Sequence, residues 1–156
     1  MKIFYKDSDL ILENSEKVNV IFNYTELNHI SIDNFMIDQQ WEYEKSWVLV
    51  EVKFYKDLLF YKISTDWYKI VLISDFKFEL DEEILWFFWD IDVLFLPWTK
   101  ESSKLYDDLE AKIVIPFWEW KDTFFNSLSK NIEETEVYKI SWDLNFDTTE
   151  FVNLKI

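Results

Sequence analysis

Residues 67–97 read WYKIVLISDFKFELDEEILWFFWDIDVLFLP, and the change of period inside this stretch decides the fold class. Tyr68 to Ser74 is nearly all apolar, as a central strand covered on both faces must be, and an acid, Asp75, follows it. The spacing then becomes helical. Leu80, Ile84, Leu85 and Phe88 form one stripe, Asp81 is a natural N-cap, and Glu82 and Glu83 suit the positive end of the helix dipole. Asp92 to Leu96 is a second buried strand, closed by Pro97. Strand, helix and strand form the expected centre of the chain.

Downstream the alternation repeats. A helix is expected over Lys100–Leu109, a buried strand over Lys112–Pro116, a helix over Asp122–Ser129, and strands over Val137–Ser141 and Glu150–Ile156. Upstream the pattern is that of a β-meander. Residues 3–13 and 18–24 read as two strands around the polar turn Asn14-Ser15-Glu16-Lys17. Thr25 to Asn34, which holds the only histidine, His29, reads as a loop, and Phe35-Met36-Ile37 as a brief apolar run. Val48, Val50 and Val52 alternate with Leu49, Glu51 and Lys53, a half-exposed strand. Leu58–Ser64 and Tyr68–Ser74 join as a hairpin at Thr65-Asp66-Trp67. No repeat, low-complexity run or linker interrupts the chain, so one α+β domain over residues 1–156 is expected.

The chain is long enough to bury a real core, and 21 % aromatic content argues against disorder. Its formal charge of −15 repels phosphate backbones, which argues against nucleic acid and anionic membranes as partners. Without cysteine there is no disulfide framework, thiolate nucleophile or cysteine metal site. The longest apolar runs are broken by acids and fall short of a membrane span, and residues after Met1 do not form a secretory signal. A cytoplasmic protein is the expectation.

Glycine is absent. An ordinary content of roughly 7 % would supply about 11 in this length, whereas the chain has none and carries nine tryptophans instead. Several stand where glycine is expected: Trp67 after Asp66 between two strands, Trp98 after a strand, Trp89 after a helix, and Trp118 and Trp120 after another strand. This suggests a gene that uses UGA for glycine, translated here with UGA as tryptophan.

The segment Ile37-Asp38-Gln39-Gln40-Trp41-Glu42-Tyr43-Glu44-Lys45-Ser46-Trp47-Val48 resembles the Asp-Gly-Pro-Gly-Glu-Tyr-Glu-x-x-Gly-Val motif of small zinc-dependent hydrolases of the metallo-β-lactamase fold. Reading Trp41 and Trp47 as glycine restores both glycines of the motif's second half. The similarity continues through Asp66-Trp67-Tyr68-Lys69-Ile70, Ile73-Ser74-Asp75, Leu80-Asp81-Glu82-Glu83, Trp89 to Pro97, and Lys112 to Pro116. It spans roughly residues 37–120 and implies a four-layer αββα sandwich, here shortened in its N-terminal half, with metal ligands on loops at one edge of the sheets.

The ligand set departs from that family. Its hydrolases carry a His-x-His-x-Asp-His loop, a further histidine, a bridging aspartate and a late histidine; neutral imidazoles and carboxylates hold zinc, which lowers the pKa of bound water to about 7. Here Asp75 falls at the bridging position, the late histidine is replaced by Trp118, and residues 18–40 are too short to hold the early loop. Asp75 is therefore a relic metal position or simply an acid at a strand end. His29 is a displaced ligand or an exposed loop residue. Glu42 and Glu44, two apart on an extended segment, share a face and could join Asp75 around Mg²⁺ or Ca²⁺, or be ordinary surface acids. Lys121-Asp122 could bind an anion at a helix start or merely begin the helix. Ser74-Asp75 has no placed histidine for nucleophilic catalysis. Trp86, Phe87, Phe88, Phe124 and Phe125 read as core, or else as a docking surface.

The sequence thus leads to a degenerate metallo-β-lactamase-like protein, leaning away from enzyme activity, with no catalytic residue assigned and no cofactor. It would act as a binding or structural module through a protein partner or self-association. The alternative is a metal-dependent hydrolase, with zinc or another ion in an atypical or partner-completed site.

Overall fold

Short strands and tight turns set the outline of the computed structural model, which describes residues 1–23, 30–73, 81–97, 102–117, 121–141, 144 and 148–156. The first sheet begins with β1 (Lys2–Lys6), β2 (Asp9–Glu13), β3 (Asn19–Asn23), β4 (Ile30–Ile32) and β5 (Phe35–Ile37), paired antiparallel in that order. The second follows with β6 (Glu42–Lys45), β7 (Val48–Tyr55), β8 (Leu58–Thr65) and β9 (Tyr68–Leu72), again antiparallel. Then α1 (Glu82–Phe87), β10 (Val93–Pro97), α2 (Ser102–Leu109), β11 (Ile113–Phe117) and α3 (Lys121–Ser127) alternate, with β9, β10 and β11 parallel. Four short strands close the chain: β12 (Glu134–Thr135), β13 (Val137–Lys139), β14 (Glu150–Phe151) and β15 (Asn153–Leu154). β13 adds to β1, β14 adds to β11, and β12 pairs with β15.

Five hairpins turn through two residues each, and four of them, Asp7-Ser8, Ser46-Trp47, Lys56-Asp57 and Asp66-Trp67, share one geometry. All eight residues have positive φ, between 47° and 72°. This is type I′ geometry, whose twist matches that of the flanking strands.

The inner faces of the two sheets meet in one core, where Ile3, Leu12, Phe22 and Ile32 pack with Val50, Tyr61, Ile63, Ile70, Phe95 and Ile115. The other face of the seven-stranded sheet, with Phe60, Val71, Leu94 and Val114, is covered by Ile84 and Phe88 of α1, Leu105 and Leu109 of α2, and Phe124 and Phe125 of α3. Strands β10 and β11 are buried at every position, as parallel strands between two layers must be. The N-cap is as expected: the Ile84 amide donates to Asp81 Oδ1 at 3.1 Å.

Several expectations change. Residues 3–13 are a hairpin and not one strand, because within the polar run Lys6-Asp7-Ser8-Asp9 the short side chains of Asp7 and Ser8 tolerate left-handed backbone and turn the chain. Of the expected loop Thr25–Asn34, Ile30–Ile32 is a strand between β3 and β5. Residues 150–156 split at Val152 into strands that serve two different sheets. The residue with positive φ after α1 is Asp90 and not Trp89. Trp86 leaves the expected core group: it is 70 % exposed and stacks on Trp89 at 5.6 Å. The described helices cover one sheet, giving β, β and α layers; the second outer helical layer is not among the described residues.

Candidate functional site

Strands β9, β10 and β11 run in register, Ile70 beside Val93 beside Ile113, and their carboxyl ends lie along one edge of the sheet. In open parallel sheets ligands bind beyond such an edge. The segments that follow these three strands include Asp75, Trp98 and Trp118; all three, like Ser74 and His29, lie outside the described residues.

Glu42 and Glu44 sit on the edge strand β6 with exposed side chains. Glu42 stands opposite Glu51 of β7, and Lys62 of β8 binds Glu51 at 2.9 Å, relieving the repulsion between the two carboxylates. An open hollow of about 770 Å³, lined by Gln40, Trp41, Glu42, Glu51 and Val52, lies beside them. Among the described residues no group of three or more histidine, aspartate or glutamate side chains could hold a metal ion. The ordinary zinc site needs at least three such donors. One histidine in the whole chain does not meet that need, and the indole of Trp118 offers a donor N–H and no lone pair. The residues present do not fit a catalytic zinc of the family's type.

Lys121 begins α3, where an anion site was one reading. Its ammonium instead donates to Glu134 and to the Leu154 carbonyl at 2.9 Å, tying the helix to the β12–β15 pair. The hydrogen bond from Lys121 holds the Glu134 carboxyl below its usual range. The Lys121 side chain is thus engaged within the fold and is not presented to an anion at the helix start.

The polar cluster that sequence reasoning passed over lies at the opposite, amino edge. Asn14, Thr65 and Asp92 are the buried polar or charged side chains among the described residues. Asp92 Oδ2 accepts the Lys69 amide at 2.8 Å and Oδ1 accepts the Lys112 ammonium at 2.5 Å, so one carboxylate joins the starts of three parallel strands. Lys69 also pairs with Asp90 at 2.6 Å, and this hydrogen bond lowers the Asp90 pKa. Asp66 accepts from the amide and hydroxyl of Ser15 and lies 3.5 Å from the Met1 ammonium. Between them the Tyr68 hydroxyl donates to the Ser141 carbonyl at 3.0 Å; burial, then the charges of Asp92 and Asp66, raise its pKa. The one sequence signal was an acid placed directly before a fully apolar strand. These groups satisfy one another, so the cluster is a structural knot.

No known family model matches the chain, and no curated protein sequence matches it. Among solved structures, the crystal structure of a predicted Zn-dependent hydrolase of the metallo-β-lactamase superfamily from Thermotoga maritima is similar over the full length of both chains. The TM-score is 0.79 at 17 % identity. The chain is therefore similar in fold to a metallo-β-lactamase superfamily protein whose description names zinc.

Proposed function

We propose that this chain is a single-domain metallo-β-lactamase-like sandwich, stripped of its zinc ligands, that works by binding and not by hydrolysis. The observation that carries the reading is a fold shared end to end with a predicted zinc-dependent hydrolase in a chain that has one histidine. Glycine in place of Trp118 would leave that position equally without a donor. Asp75 is then the remnant of the bridging ligand. A charge of −15 favours a protein partner, or a second copy, over nucleic acid or an anionic surface. The edge strand β5, with Phe35 and Met36 exposed, is the described surface best suited to such a contact.

Metal analysis of the purified protein, with a hydrolysis panel of β-lactam, phosphodiester and thioester substrates, tests this. Substoichiometric metal and no turnover are expected, and Asp75→Ala should leave stability and binding unchanged. Stoichiometric zinc with turnover that Asp75→Ala abolishes would instead establish the partner-completed or carboxylate-based hydrolase.

A further inference from the structure

The described tryptophans take no part in the core, and the way they are placed is informative. Every described tryptophan is exposed: Trp41 by 71 %, Trp47 by 81 %, Trp67 by 91 %, Trp86 by 70 % and Trp89 by 68 %. Tryptophan is on average a highly buried residue. Here the large buried side chains are instead Tyr61, Phe22, Phe60, Phe88, Phe95, Phe117 and Phe124. A core this rich in phenylalanine that leaves five indoles in water is not the work of hydrophobic burial.

Backbone geometry points the same way. Thirteen described residues have positive φ; eleven are Asp, Ser, Lys or Glu, and the others are Trp47 at 62° and Trp67 at 69°. For a bulky residue this region is a steric outlier, because its Cβ crowds the following carbonyl. A packed side chain could offset the strain, yet these are the two most exposed tryptophans described. Each is the second residue of a type I′ turn, after Ser46 and after Asp66, where glycine is the preferred residue and Asp-Gly the strongest hairpin signal. The chain has no glycine to place there or anywhere else.

We infer that positions 47 and 67, and with them the other tryptophans, are glycine in the native protein, their codon being a UGA that the native machinery reads as glycine. Trp86, inside α1, is supported by its exposure alone, since glycine is a weak helix former. The native surface then lacks the exposed indoles, including the stacked Trp86–Trp89 pair. The inference stands independently of whether any metal binds.

Peptide mass spectrometry of protein isolated from its source organism is the direct test. Glycine is expected at positions 47 and 67; tryptophan at either, or a UGG codon at either, would overturn the inference. A second test uses recombinant protein from a host with the standard code. Trp47→Gly with Trp67→Gly should favour the folded state by about tenfold per turn, read as a higher thermal midpoint. The control substitution Asp57→Gly, at the matching second position of a turn where aspartate tolerates the left-handed backbone, should give a smaller gain. A double glycine variant no more stable than the tryptophan-bearing chain would count against it.

Discussion

The Asn14 side-chain amide donates to Thr65 Oγ1 at 3.2 Å, joining residues 51 positions apart and one sheet to the other. Asn14 Oδ1 also accepts the amides of Glu16 at 3.0 Å and Val18 at 2.9 Å. Asn14→Ala removes all three bonds and leaves a buried hydroxyl unpartnered, a loss of about 2 kcal/mol. Urea unfolding should show a lower midpoint with an unchanged slope. A loss below about 0.5 kcal/mol would mean that water replaces the side chain at no cost.

Asp92 offers a sharper test, because its carboxylate serves both a backbone amide and a lysine. Asp92→Ala removes the acceptor of the Lys69 amide and the carboxylate of the Lys112 ion pair, at a cost of about 2 kcal/mol. Asp92→Asn should lose less, since its carbonyl oxygen can still accept the Lys69 amide. Adding Lys112→Met to Asp92→Ala should recover part of the loss; strict additivity in this double-mutant cycle would show that the pair is not coupled.

Phe60 sits on the helix side of the seven-stranded sheet, with its ring edge-to-face on Phe88 at 5.4 Å. Phe60→Ala opens a cavity beneath α1 and should cost about 3–5 kcal/mol. Phe54, at 52 % exposure in the neighbouring strand, gives the contrast: Phe54→Ala should stay within about 0.5 kcal/mol. Equal losses would refute the assignment of the core face.

The Asp90 carboxyl should titrate below its ordinary value of 3.8, because Lys69 hydrogen-bonds to its charged form. The sign follows from linkage. A depressed carboxylate contributes stability that is whole above the unfolded pKa and disappears as pH falls through the folded one. Desolvation of the carboxyl works against the shift, but the Lys69 contact at 2.6 Å and the charges of Lys69 and Lys112 outweigh it. Carboxyl NMR titration checks both parts: Lys69→Met should raise the midpoint, and a wild-type midpoint at or above 3.8 would contradict the pairing.

Elements with a clear period were readable from the sequence. The Val48–Lys53 alternation, the apolar runs of β9, β10 and β11, and the Asp81 cap each have one physical solution, and each appears where expected. The Asp7-Ser8 turn was hidden because its left-handed geometry is carried by ordinary polar residues, without the glycine that marks such a turn. β4 and β12 were missed because strands of three and two residues derive their identity from the partners beside them. The candidate site was legible only as an absence, the missing histidines, since Asp75 and Trp118 follow strand ends that long-range pairing positions. The amino-edge knot was nearly illegible for the same reason: the apolar strand after Asp92 marks its place, but its partners Lys69 and Lys112 are set by long-range pairing.

The placement of that knot has a consequence for how such a protein could change over time. The buried polar ties of Asn14, Thr65 and Asp92 are all at the amino edge, a full strand length from the carboxyl-edge loops. Substitutions in those loops therefore leave untouched both the Asn14–Thr65 bond between the sheets and the Asp92 bonds within one of them. The amino edge holds the polar bonds and the carboxyl edge is left out of them, so the two ends of the same strands are free to vary at different rates.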